Sequence, residues 1–377
     1  MNNTFFSCFK NIFITFLIFF CGIFIYAADS SVTRPDTDIP AHTHITDAQF
    51  AYEQKDFNRA FQELYVAKEK RKNESDWAVH TLETALRQPS VLNLETDDIN
   101  TLLRFFIQRR NTDVVRIIET VLLKYSVEEF NFSVQNIVEY LKQATEFPEA
   151  DYLLGKLYMA EGEPDIADAF FIKAYESRLF LDIPDMQYDI LYSLAELYNL
   201  QNKSDTYEEV LLLIASEDEN YYMQGSPSTF LNAVTNAVKN NMETDKFFLL
   251  YRNDFYKTLN AWYYLTKYFY DLNHTEKAFE TAILFAVVSF TRIDEVLKNY
   301  DMHYEYEGLQ YLFQKLKTFP DIATWATKHN MWEGFYLLAE LCRQQGFNDF
   351  ANELYSALAT ECPERTWKIL AQKALEI

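Results

Sequence analysis

Residues 151–174 read DYLLGKLYMAEGEPDIADAFFIKA and predict two antiparallel helices joined by a short turn. Leu154 and Tyr158 are four residues apart, so they lie on one face of the first helix. Phe171 comes from the second helix and can meet that face across the seam, the interface between the two helices of the pair. The stretch therefore predicts a helical hairpin with an apolar seam.

Small residues and turn residues in the same stretch support this prediction. Gly155 and Ala167 leave room for the two helices to approach closely. Gly162 falls in the turn, and Pro164 falls in the first turn of the second helix, where its missing N–H costs little. The local sequence thus agrees with the hairpin at its seam and at its turn.

The pattern of this hairpin recurs along the chain. The position of Ala167 is occupied in other copies by Ala60, Val115, Tyr207, Ala278 and Ala351. Gly346 stands in the turn of the last copy, as Gly162 does in the first quoted one. The wide gaps before Ala278 and Ala351 predict degenerate units near 228–257 and 292–320. We expect about eight hairpins in all.

The stretch resembles the tetratricopeptide repeat (TPR), a helix–turn–helix unit with the signature W-x2-L-G-x2-Y followed by A-x3-F. The residues that match this signature are Leu154, Gly155, Tyr158, Ala167 and Phe171. Asp151 replaces the Trp. The resemblance implies an all-α fold, a right-handed α-solenoid of TPR-like hairpins. It also implies that the first helices line a concave surface that binds peptides.

The amino-terminal segment, residues 1–28, predicts an export signal. Lys10 is its only charged side chain, and the run from Asn11 to Ala28 is almost wholly apolar. Three fates remain open, namely a cleaved signal peptide, an uncleaved anchor and lipid modification at Cys21. In each case we expect an exported protein, periplasmic or secreted. It contacts a membrane only through this segment, and only if the segment is retained or lipid-modified.

The rest of the chain divides by composition. We expect a flexible spacer at 29–45, which contains Pro35 and Pro40, and an exposed acidic loop at 216–228. This loop would separate an N-terminal TPR-like array at 46–215 from a C-terminal array at 229–377. Residues 364–377 are amphipathic and predict a helix that caps the last hydrophobic surface.

Composition and charge exclude several functions. The chain has 7 glycines in 377 residues, and no GxGxxG, GxxxxGK[ST] or GxSxG motif occurs. The net charge of −22 repels nucleic acid. HExxH, CxxC and EF-hand motifs are absent as well. We therefore expect no catalytic site, no metal, no cofactor and no nucleic-acid partner.

One column of side chains is a candidate binding groove on the first helices. It consists of Tyr152, Tyr192, Tyr263 and Tyr336, which occupy one position of the repeat. Four residues further along, Lys156 and Lys267 alternate with Glu196 and Glu340. The tyrosines suit either an aromatic ladder that contacts a peptide or packing between neighbouring helices, and the sequence leaves both open.

We therefore predict an exported, non-enzymatic scaffold that binds a protein or peptide. Two alternatives remain, a membrane-tethered accessory subunit of a transport or envelope-assembly complex and a structural spacer without a defined ligand. Two cysteines lie beyond the leader, and the hairpin places Cys342 and Cys362 at separated points. We expect both to be free thiols.

Overall fold

A computed structural model describes residues 34–35, 39–87, 96–109, 115, 127–144, 146–223 and 226–376. Most of these residues are helical. The helices are α1 (Ala41–Glu53), α2 (Phe57–Arg87), α3 (Thr96–Gln108), α4 (Val127–Gln143), α5 (Pro148–Glu161), α6 (Pro164–Glu176), α7 (Met186–Leu200), α8 (Ser204–Ala215), α9 (Thr229–Lys239), α10 (Thr244–Leu250), α11 (Leu259–Asp271), α12 (Thr275–Tyr300), α13 (Leu309–Leu316), α14 (Pro320–Lys328), α15 (Met331–Gln344), α16 (Asn348–Glu361) and α17 (Arg365–Leu375). Strands β1 (Tyr222–Met223) and β2 (Ser226–Pro227) pair antiparallel.

The chain forms two compact units. Among the described residues, the hairpin unit contains Ala41–Glu69 and those of 146–376, and the inserted unit contains 34–35, 39–40 and those of 70–144. Helix α2 therefore contributes its first part to one unit and its second part to the other. The hairpin unit is discontinuous in sequence because residues 70–145 interrupt it.

One turn recurs in six helix pairs of the hairpin unit. Its central residue, called the turn residue below, has a positive φ, and the six turn residues are Lys55, Gly162, Asn202, Asn241, Asn273 and Gly346. In each pair the turn residue donates its N–H to the carbonyl three residues back, and the next residue donates to the carbonyl five residues before it. This is the Schellman arrangement, which satisfies carbonyls at the end of the first helix. Gly and Asn tolerate the left-handed backbone best, and five of the six turn residues are Gly or Asn.

Counting from the turn residue as position 0, five of the six pairs bury the same positions of the second helix. Position +5 is buried and is Ala in four pairs and Tyr207 in the fifth. Positions +9 and +12 are buried as well: Leu64 and Ala67, Phe171 and Ala174, Leu211 and Ile214, Ala282 and Phe285, and Tyr355 and Leu358. Offsets of three and four residues keep these side chains on one helix face, which is the seam.

The five pairs follow one another through the core of the hairpin unit. Helix α5 packs on α6, α6 on α7, α7 on α8, α8 on α11, α11 on α12, α12 on α15, and α15 on α16. The pair α1–α2 shares a cluster with α5 that includes Ala60, Leu64 and Leu154. Helix α17 packs on α16 and α15 at the end of the chain. Helices α9 and α13 pack on the second helices α12 and α16.

The inserted unit has its own core. Trp77, Leu82, Phe105 and Leu141 are among its buried side chains. The buried guanidinium of Arg109 lies 3.8 Å from the centroid of the Phe105 ring and donates to the hydroxyl oxygen of Ser75 (3.0 Å) and the carbonyl of Arg71 (3.3 Å). Hydrogen bonds offset the cost of burying this charge.

The structure corrects two boundaries of the predicted organisation. Helix α1 begins at Ala41, so the prediction of a spacer as far as residue 45 is wrong for 41–45, because Ala41 is buried in the cluster with α5. The loop at 216–228 contains β1 and β2 but does not divide two arrays, because α8 and α11 pack together across it. The predicted leader, residues 1–28, lies outside the described residues.

Candidate functional site

The residues predicted to define the repeat lie in the seams. Leu154, Ala167, Phe171, Ala278 and Ala351 are fully buried. A Cβ added at Gly155 would lie 2.5 Å from Cδ1 of Phe171, so this close approach requires Gly. Tyr158 is half-buried, and its ring stacks on Phe170 with centroids 5.4 Å apart. The turn residue Gly346 has a φ of 85°.

The tyrosine column is mostly enclosed by neighbouring helices. Tyr152 is 9% exposed and Tyr263 is 6% exposed, and their rings lie 5.9 Å from Phe171 and 5.7 Å from Phe285. Tyr336 is half-buried between Tyr355 and Trp367. These contacts favour the packing interpretation over an exposed aromatic ladder.

Tyr192 makes two hydrogen bonds that join neighbouring pairs. Its hydroxyl donates to the carbonyl of Lys257 at 2.8 Å and accepts from the backbone N–H of Ala261 at 3.1 Å. Ala261 lies in the first turn of α11, where backbone N–H groups have no intrahelical partner. Burial raises the pKa of Tyr192, so this hydroxyl stays protonated. Tyr192 thus connects α7 to the start of α11.

The charged column is only partly free for a ligand. Lys267 Nζ lies 2.7 Å from Glu333 Oε1, and Glu340 accepts a hydrogen bond from the Tyr355 hydroxyl at 2.9 Å. Lys156 Nζ lies 5.4 Å and 5.7 Å from the ring centroids of Tyr52 and Tyr152. Glu196 is exposed.

Sequence reasoning missed Tyr264, which follows Tyr263 and is 38% exposed. Its position on α11 faces solvent, and its ring lies 5.5 Å from that of Tyr263. Burial of part of the side chain and the charge of Glu196 raise the pKa of Tyr264. Glu196 and Tyr264 therefore belong to one surface of the first helices. This surface is called the first-helix face below, and it consists of Lys156, Glu196, Tyr264, Lys267 and Glu340. Periodicity did not mark Tyr264, because only the preceding position repeats as Tyr in the four best-matching copies.

Metal-ligating side chains and thiols are two further kinds of group that could carry chemistry. Among the described residues, no group of three or more His, Cys, Asp or Glu side chains is arranged to hold a metal ion. Cys342 and Cys362 are buried free thiols, which confirms the prediction for this pair. Burial raises the pKa of Cys362 to about 11, so its reactive thiolate form is scarce at neutral pH.

Comparisons with known proteins give relatives without an assigned activity. The chain is 28% identical over 316 residues to an uncharacterized protein of Treponema pallidum, covering 84% of each chain. It is 24% identical over 272 residues to an uncharacterized protein of Borreliella burgdorferi, covering 66% of this chain and 81% of the relative. No protein-family model matches.

A search of solved structures adds one described similarity. It is to a "Circular tandem repeat protein with novel repeat topology and enhanced subunit contact surfaces", at 13% identity and a TM-score of 0.18, covering 89% of this chain and 81% of that one.

Within the described ranges, none of the helices is both long and apolar enough to span a bilayer.

Proposed function

We propose that the chain is an exported, non-enzymatic scaffold that binds another protein or peptide on the first-helix face of a right-handed TPR-like solenoid. The observation that carries this proposal is the common seam: five of the six pairs, called the closed pairs below, bury positions +5, +9 and +12 of the second helix in one register. A fixed register presents equivalent positions of successive first helices side by side. Repeated surfaces of this kind suit extended partners better than they suit catalysis.

The exposed side chains of the first-helix face support this choice. Glu196 and Tyr264 face solvent, while α9 and α13 pack on the second helices α12 and α16. Helices α9 and α13 therefore form an additional layer against the second helices and leave the first helices uncovered by that layer. The buried tyrosines reduce the contribution expected from an aromatic ladder, so charge and the exposed Tyr264 carry the specificity. The TPR assignment, the handedness and the count of about eight units remain parts of the proposal.

Photocrosslinking in intact cells tests the binding surface. A photoreactive residue replaces Glu196 or Tyr264, and the control replaces Glu209, which is exposed on the second helix α8. We expect protein adducts from positions 196 and 264 and none from 209. Equal adduct patterns at all three positions, or none at any, would contradict binding on the first-helix face.

Export needs its own measurement. The apolar leader at 1–28 supports it. Cell fractionation followed by sequencing of the mature amino terminus distinguishes a cleaved signal from a retained anchor, and mass analysis detects lipid on Cys21. Recovery of the full-length chain in the cytoplasmic fraction would contradict export.

A further inference from the structure

The pair α9–α10 shares the common turn but not the common seam. Asn241 is its turn residue, and Met242 donates its N–H to the carbonyl of Ala237 at 3.1 Å, as in the other pairs. The second helix, however, begins at position +3 (Thr244) instead of +2. In the five closed pairs the N–H at +5 bonds to the carbonyl at +1, whereas here the N–H of Phe247, at +6, bonds to Glu243.

This delay of one residue rotates the face of α10 by about 100° relative to the other second helices. In α10 the fully buried side chains are Phe247 and Phe248, at positions +6 and +7. In the closed pairs the buried side chains are those at +5 and +9. Phe248 packs on Phe290 with ring centroids 4.8 Å apart. Position +9 holds a buried side chain in all five closed pairs, but here it is Leu250, which is 56% exposed. Helix α10 thus turns its apolar face away from α9.

The first helix of the pair also lacks the side chains that fill a seam. Position −8 is Leu154, Leu194, Leu265 or Leu338 in the closed pairs from α5 onward, and it is Ala233 here. Position −4 is aromatic in α5, α7 and α11, and it is Ala237 here. Two small residues face a rotated helix, so the seam is open. The resulting cleft has a volume of about 510 Å³, within the range of about 300–1,000 Å³ that is usual for ligand sites.

Polar groups without protein partners line this cleft. Asn236, Asn240 and Asn241 lie along it with Glu243 and Lys246. In the part of the chain that the structure describes, their side chains make no hydrogen bond or ion pair with the protein. Each carboxamide offers donors and an acceptor. One carboxylate and one ammonium give no net charge, which disfavours a phosphate or another anion.

We propose that this cleft binds an extended peptide segment, whose main-chain amides pair with the carboxamides of Asn236 and Asn240. These residues are four apart on α9, so they are separated by about 6 Å along the helix axis. In an extended chain the amide groups that face one side repeat every two residues, about 6.6–6.8 Å. Ala233 and Ala237 alternate with the two asparagines and let a backbone approach α9 closely. The site is separate from the first-helix face.

Binding of a peptide to the full-length chain tests this proposal. A display library of random 12-residue peptides is selected on the immobilised protein, and an enriched peptide is measured by fluorescence anisotropy. We expect the double variant Asn236→Ala/Asn240→Ala to weaken binding about tenfold, because it removes the hydrogen bonds between the two carboxamides and the peptide main chain. Asn232→Ala is the matched control, since Asn232 is exposed on α9 but does not line the cleft. Its affinity should equal that of the wild type.

A second pair of measurements separates this site from its alternatives. N-methylation of alternate amides in the enriched peptide should abolish binding if the main chain is recognised. Filling the cleft with Ala237→Leu should block binding while the variant keeps the wild-type helical circular dichroism. No enriched peptide, undiminished binding by the double variant, or binding lost only on Glu196→Ala would overturn the proposal. Saccharides that bind on a glycan array and depend on Asn236 and Asn240 would overturn it as well.

Discussion

The pairs α7–α8 and α9–α10 share a turn and differ in their seams. Both have an Asn turn residue with a φ of 53–55° and the same two turn hydrogen bonds. The second helix starts one residue later in α9–α10, and position +9 changes from a buried Leu211 to an exposed Leu250. A delay of one residue at the start of the second helix therefore accompanies the change from a buried seam to an open one.

The largest expected effect on the free energy of unfolding comes from truncating the leucine at position +9, which is Leu211 in α7–α8 and Leu250 in α9–α10. Leu211→Ala removes a fully buried side chain and should lower the free energy of unfolding by about 2–5 kcal/mol. Leu250→Ala removes an exposed side chain and should change it by no more than about 0.5 kcal/mol. Urea unfolding followed by circular dichroism measures both. Comparable losses in the two variants would remove the distinction between closed and open seams.

Close approach within a closed seam gives the next effect. Gly155→Ala places a Cβ against the buried ring of Phe171, so we expect a loss of about 1–3 kcal/mol in the free energy of unfolding. Adding Phe171→Leu in the same chain should restore part of it, because the smaller side chain frees space. Without such a rescue, the loss would have to come from somewhere other than this contact.

Contacts between neighbouring pairs are tested at Tyr192. Tyr192→Phe removes the hydroxyl that bonds Lys257 and Ala261, and we expect a loss of about 1–3 kcal/mol from the groups left unpaired. Tyr264→Phe is the control, since this ring is partly exposed and the structure shows no hydrogen bond from its hydroxyl. Thermal unfolding of both variants checks the prediction, and equal melting temperatures would argue against the junction.

The smallest effect depends on pH and concerns Glu280 of α12. Burial, with the charge of Glu276 as a second cause, raises the pKa of Glu280. A raised carboxyl pKa means that protonation favours the folded state, and this contribution is lost as pH rises through the folded pKa. Glu280→Gln should therefore raise Tm at pH 7 and leave it nearly unchanged near pH 4. Glu295→Gln, at an exposed position of the same helix, should show no such difference.

Much of the hairpin architecture follows from local sequence, because its signals are local. Small residues at Gly155 and Ala167 and the turn glycines Gly162 and Gly346 mark where two consecutive helices touch and turn. The asparagine turn residues carry the same information but were not recognised, since Asn also occurs throughout loops and helix surfaces. Asn202 and its equivalents could have identified the turns, because Asn tolerates the left-handed conformation.

The candidate sites were less predictable because they depend on distant packing. The common register of Tyr152 and Tyr263 was visible, but their burial depends on partners such as Phe171 and Phe285 from other helices. The cleft depends on the rotation of α10. This rotation follows from one extended residue, Glu243, and from the contact of Phe248 with Phe290 of α12, which lies 42 residues further along the chain. No period in the sequence records such a rotation.

Thiol labelling tests the contrast between the two seams most directly. Leu250→Cys and Leu211→Cys are exposed separately to a maleimide under native conditions, and the modified positions are mapped by mass spectrometry. Cys342 and Cys362 are buried and serve as internal references for intact folding. We predict rapid labelling at position 250 and protection at 211. Equal labelling of the two positions, or protection at 250, would contradict the open seam and the cleft built on it.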